Sequence, residues 1–98
     1  MHDSIIESIE DLVRLEVDYN GGPRIIEAHC YGKGRKGHDL LRCYQVSGHS
    51  NSGKYEGWKL LIVPEIDSLK ITSDNFDGPR PGYNSAGDSA IPRVYAML

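Results

Sequence analysis

Strict alternation of apolar and polar residues, interrupted at short intervals by glycine and proline, is the feature that most limits how this chain can fold. Val13, Leu15, Val17 and Tyr19 alternate with Arg14, Glu16 and Asp18. A period of two over that length predicts a strand with one buried face. Asn20-Gly21-Gly22-Pro23 follows at once, and it supplies the positive-φ residues of a tight turn into a second strand, Arg24 to Tyr31. The same reading predicts strands over Leu40 to Val46, Trp58 to Val63 and Ser68 to Thr72, with Pro64 to Asp67 as a tight turn between the last two.

The second and third strands carry apolar residues on both faces, which favours a tightly curled sheet over a flat one. Ahead of the strands, Ser4-x-x-Glu7 has the form of a capping box, and Ile5, Ile9 and Leu12 share one helical face. A short helix from Ser4 to Leu12 is expected. Near the end, Ser89 is placed to cap a helix, Pro92 is tolerated in a first turn, and Ile91, Val94, Tyr95 and Leu98 have helical spacing. Between them Asp77-Gly78-Pro79-Arg80-Pro81-Gly82-Tyr83 cannot be regular structure and reads as a strap. The expected fold is mainly β: one domain over residues 1–98, a five-stranded SH3-like or Sm-like antiparallel barrel, with a short N-terminal helix and a C-terminal helical tail. Its expected core is Val13, Leu15, Val17, Ile26, Ala28, Cys30, Leu41 and Cys43.

Composition narrows the function classes. At 98 residues, 39% hydrophobic and 26% charged, the chain resembles an ordinary small globular domain with room for one core. No apolar run approaches the roughly 20 residues of a bilayer-spanning helix, and MHDSIIESIEDL lacks the basic and apolar segments of a secretory signal. A cytoplasmic protein without a membrane partner is expected. Cys30 and Cys43 fall inside strands, which predicts buried free thiols. The net charge of −3 is unevenly spread. Residues 1–19 set Arg14 against Asp3, Glu7, Glu10, Asp11, Glu16 and Asp18. Residues 20–60 set seven cations against Glu27, Asp39 and Glu56. An acidic protein with a basic middle is unsuited to general polyanion binding but has the means for a local anion site.

Catalytic motifs are poor. Gly48-His49-Ser50-Asn51-Ser52-Gly53-Lys54 matches seven positions of a phosphate-binding loop, but Tyr55 stands where Ser or Thr is needed, and a strand follows where a helix must. His29, Cys30, His38, Cys43 and His49 show no paired zinc-ligand spacing. No enzyme, cofactor or metal is expected. Gly32-Lys33-Gly34-Arg35-Lys36-Gly37 has the composition of a cation-flanked phosphate nest and equally that of an exposed loop. Arg42 and Tyr44 share one side of a strand, and Glu27, His29 and Tyr31 share one side of its expected partner. That face offers a guanidinium fork, a stacking ring and an imidazole to an anion. The plainer reading is an Arg42–Glu27 cross-strand ion pair. The candidate ligand-binding residues are Arg42, Tyr44, His29, Lys33, Arg35 and Lys36.

The order of these features resembles a WYL domain: Arg24-Ile25-Ile26-Glu27-Ala28-His29, a glycine-containing loop, Leu41-Arg42-Cys43-Tyr44-Gln45, Gly57-Trp58-Lys59-Leu60 and Pro64-Glu65-Ile66. The likeness spans roughly residues 12 to 72, and the Gly78–Tyr83 strap is similar to that of small stand-alone bacterial WYL-like proteins. Tyr44 alone keeps the name motif, and Ile62 stands at the downstream arginine. The resemblance implies a ligand-sensing regulatory module, with a nucleotide or nucleic-acid fragment as ligand. With only a short helix before the strands, any effect on transcription is expected to pass through a partner. The expected function is therefore non-enzymatic binding of a small anionic ligand. The alternative is a protein-interaction module that docks on a partner, or on a second copy, through its barrel, strap or final helix.

Overall fold

The computed structural model describes residues 1–98. A helix α1 (His2–Asp11) leads into strands β1 (Val13–Tyr19), β2 (Gly22–Lys33), β3 (Asp39–Gly48) and β4 (Gly57–Ile62). A 3₁₀ turn (Val63–Glu65) then precedes β5 (Ile66–Asn75), and β6 (Arg93–Met97) ends the chain. All pairings are antiparallel, in the order β4-β3-β2-β1-β5, with β6 also on β2. The helix starts without a side-chain cap, so Ser4-x-x-Glu7 does not form its box. Ser8 instead hydrogen-bonds the Val13 carbonyl, and Leu12 turns the chain in the left-handed region at φ 54°.

Three expectations of the fold need correction. The sheet has six strands instead of five. It is also open: β4 and β5 stand at opposite ends of the order and do not pair. The reason lies in the 3₁₀ turn, where Pro64 has no amide to donate, and in Ile62, whose N–H donates to the Tyr19 hydroxyl at 3.1 Å instead of to a strand. Lastly, the chain ends in a strand and not a helix. β1 covers β2 only as far as Ile26, so one edge of β2 beyond that point has unpaired backbone groups. Residues 93–97 satisfy them, with Cys30 opposite Met97 and Lys33 opposite Arg93. Helical spacing over so few residues is a weak claim against an open ladder. Gly32 makes the approach possible, because a Cβ there would lie 2.1 Å from the Arg93 carbonyl oxygen.

The Asn20-Gly21 turn has the expected positive φ values, 46° and 104°. Ile5 and Ile9 of the helix pack with Leu15, Val17, Tyr19, Ile26, Ala28, Tyr31, Leu41, Cys43, Leu61, Val63 and Ile66 into one core on the inner face of the sheet. Val13 is only half-buried. A bulge between Ala28 and Cys30 changes the side-chain alternation. It sends Tyr31 into the core and sets Cys30 opposite Arg42, on the outer face. No helix is long and apolar enough to cross a membrane.

Candidate functional site

The outer face of the sheet is where sequence placed a ligand, and the chain's own strap lies across it. Glu27 is fully buried there. Directly opposite it on β3 is Tyr44, not Arg42. Glu27 accepts from Arg80 Nε at 2.7 Å and Nη2 at 3.0 Å, and from Arg14 Nε at 2.9 Å. Burial alone would raise its pKa, but the two guanidinium groups outweigh that and hold the carboxyl below its ordinary value. The Arg80 guanidinium also lies over the Tyr44 ring, 4.5 Å from its centroid. The Tyr44 hydroxyl reaches Glu56 at 3.5 Å.

His29 is likewise fully buried. Trp58 and Tyr83 meet its ring edge-on at centroid distances of 4.8 and 5.1 Å, and Phe76 stacks at 6.0 Å. The backbone N–H of Arg80 donates to its Nε2 at 3.1 Å. An amide can only donate, so Nε2 is bare and Nδ1 carries the proton, 2.9 Å from the Glu27 carbonyl oxygen. Burial pushes the pKa of this imidazole down, which keeps it neutral. Trp58 Nε1 donates to the Pro81 carbonyl at 3.2 Å, and the Tyr83 hydroxyl lies 3.1 Å from the His29 carbonyl. Two of the candidate ligand residues, His29 and Tyr44, are therefore engaged with the strap.

Arg42 stands apart from them. It makes a forked pair with Asp88, Nε to Oδ2 at 2.7 Å and Nη2 to Oδ1 at 3.4 Å, and this contact holds the Asp88 carboxyl below its usual range. The pair forms part of a pocket of about 290 Å³ that Trp58, Tyr83, Asn84 and Ser89 also line. Burial pushes Cys30 up to about 11 and Cys43 up to about 12, so neither thiol is a ready nucleophile. Both are unpaired.

The loop cations assemble elsewhere. Lys33 and Arg35 meet Arg93 of β6 in an open cleft of about 430 Å³, with Gly34, Gly37 and Pro92 as its remaining walls. Lys36 is exposed and lies outside that lining. Lys33 and Arg93 are direct cross-strand partners. Arg35 Nε donates to the Ser89 carbonyl at 3.2 Å, which orients the side chain without neutralising it. Asp39, opposite Lys33 on β3, accepts from the Tyr95 hydroxyl at 2.8 Å. The loop's amides do not form a nest: Gly34 N–H donates to the His38 carbonyl and Gly37 N–H to that of Gly34. The Gly48–Lys54 loop joins two strands and opens no helix.

The sequence reading missed Arg80, Asp88 and Arg93, the three residues that decide where charge is spent. No known protein family, curated protein or solved structure matches this chain.

Proposed function

We propose that the protein is a non-enzymatic binding module for a small anionic ligand, taken at the cleft of Lys33, Arg35 and Arg93. The observation that carries this reading is the absence of any carboxylate from the lining of that cleft. The arginines around Glu27 and Asp88 do have counter-charges: Arg14 and Arg80 pair with Glu27, and Arg42 with Asp88. Two cations placed directly opposite each other on paired strands repel, and an anion between them relieves the repulsion. Arg35 adds a planar fork suited to phosphate or carboxylate. The lining includes no aromatic ring, so recognition falls on the charged group and not on a flat ring system. The sequence resemblance to WYL domains implies a nucleotide or nucleic-acid fragment as ligand, and of such a ligand this cleft would take the phosphate.

Thermal shift with inorganic phosphate, pyrophosphate, nucleotides and short oligonucleotides tests the reading. A ligand at 100 times its Kd adds about 2.7 kcal/mol, which in a domain of this size raises Tm by roughly 10 °C or more. The rise should shrink with added salt. It should vanish in the triple variant Lys33→Ala, Arg35→Ala, Arg93→Ala. Failure of all these anions to stabilise the protein, or equal stabilisation of the triple variant, overturns the assignment.

A further inference from the structure

We propose that the sheet face beneath the strap is a recognition site for an arginine held in an extended, proline-flanked peptide, and that Pro79-Arg80-Pro81 occupies it in cis. The groups that read the strap lie on three adjacent strands: Glu27 and His29 on β2, Tyr44 on β3 and Trp58 on β4. Each addresses a different feature of an arginine peptide. Glu27 takes the guanidinium through two parallel bonds of 2.7 and 3.0 Å, and the Tyr44 ring supports its flat face at 4.5 Å. His29 accepts the arginine's own backbone N–H, and Trp58 donates to the carbonyl of the proline that follows. Fork and ring select an arginine, while the bonds to backbone amide and carbonyl fix the path of the extended main chain around it.

The strap is attached as a ligand is attached. Between Asp77 and Gly82 no backbone amide donates to another backbone group, so side chains hold this segment and no ladder does. Its two prolines have no amide to satisfy and favour the extended conformation before docking. Gly78 and Gly82 flank it at φ 128° and 93°. The side chain of Arg80 keeps 35% of its exposure, and a hollow of about 240 Å³ lined by Arg14, Glu27, Phe76 and Arg80 opens beside it. The hollow reaches the Glu27 side chain, which stays covered while Arg80 is in place and is uncovered when Arg80 leaves. Glu27 keeps Arg14 as a partner when Arg80 leaves, so the exchange does not strand its charge. The occupant in trans is a segment of another protein with the same chemistry, Pro-Arg-Pro. It competes with a tethered copy whose effective concentration is on the order of millimolar.

The test uses the full chain with Arg80→Ala, the probe N-acetyl-Pro-Arg-Pro-amide, and the fluorescence of Trp58, the single tryptophan. The variant should bind the probe at least tenfold more tightly than the wild type does. Replacing the probe's arginine with lysine or citrulline should cost tenfold or more, and adding Glu27→Gln should abolish binding. Amide spectra establish that the variant is folded. If it is not, Arg80→Lys keeps the charge but not the fork, and the probe should displace its strap. Equal affinity for the lysine probe, or no binding to a folded variant, overturns the proposal. So does a concentration-dependent wild-type dimer that ignores the probe, which would make a second copy the occupant.

Discussion

Glu27 and Lys33 lie on the same strand, and the chain treats their charges in opposite ways. Around Glu27 two arginines converge from β1 and from the strap, a ring lies under one of them, and no buried polar side-chain atom is left without a partner. Around Lys33 two further cations line the cleft without an acid among its walls, and Asp39, opposite Lys33 on β3, lies outside that lining and accepts from Tyr95. The first arrangement is closed and holds the strap to the sheet. The second is open and sets like charges side by side on paired strands. Charge paired in a water-poor site contributes to the fold, whereas charge left unpaired at the surface is available to something else.

The largest expected effect comes from breaking the closed region outright. Removing both guanidinium groups, Arg14→Ala with Arg80→Ala, leaves Glu27 buried and uncompensated. Breaking a buried pair in this way typically costs about 3–5 kcal/mol, or more than 10 °C in Tm for a domain of this size. Urea denaturation should show the loss, and adding Glu27→Gln should recover part of it by removing the stranded charge. A double variant as stable as wild type would erase the distinction between the two regions.

The next effect concerns the strand that helps build the open region. Gly32→Ala places a methyl group 2.1 Å from the backbone of Arg93, where neither side can yield without moving β6. A cost of about 1–3 kcal/mol is expected, as for other overpacked sites. Hydrogen exchange should quicken in residues 93–97 and along the second half of β2 while β1 stays protected. Because Arg93 moves with β6, anion binding at the cleft should weaken in the same variant.

Sequence showed the inner face of the sheet well and the outer face poorly, for a physical reason. Leu15, Val17, Ile26, Ala28, Leu41 and Cys43 are buried as expected because alternation within a strand is local, and one buried face fixes register; Cys30 is fully buried as well, though on the outer face. The bulge at His29 broke that alternation and moved Tyr31 and Cys30 to faces opposite to those the period assigns. The final strand was misread because its partner is an edge of β2 that only three-dimensional pairing leaves vacant. Arg80 was seen only as part of an irregular strap, since nothing local announces that a residue in Pro-Arg-Pro will find a carboxylate at Glu27. Arg42 had the right chemistry for an anion, but Asp88, far along the chain, already pairs with it.

Acid should separate the two regions without any mutation. Burial holds the pKa of His29 below its ordinary 6.5, so below that pH the unfolded chain takes up a proton that the folded chain refuses. The stability this group contributes is complete above about pH 6.5 and is lost as pH falls through the folded pKa. Glu27, held below 4.5 by its arginines, adds a second loss that begins below about that pH. Denaturation measured between pH 7 and 5 should show the first decline, and His29→Gln should flatten it. The cleft lining has neither histidine nor carboxylate to share in this behaviour.

The smallest effect is the sharpest test of the open region. Arg93 is exposed, faces Lys33 across the ladder and has no carboxylate within salt-bridge distance. Arg93→Gln should change stability by no more than about 0.5 kcal/mol, and the shift should favour the folded state because a like-charge pair is removed. The gain should fade as salt rises, since screening already weakens that repulsion in the wild type. Anion binding should fall in the same protein, because one of three donors is gone. A residue whose loss stabilises the fold while weakening capture is held for binding, not for structure. If Arg93→Gln instead destabilises the protein as strongly as the loss of Glu27's partners does, the cleft is part of the scaffold and the contrast fails.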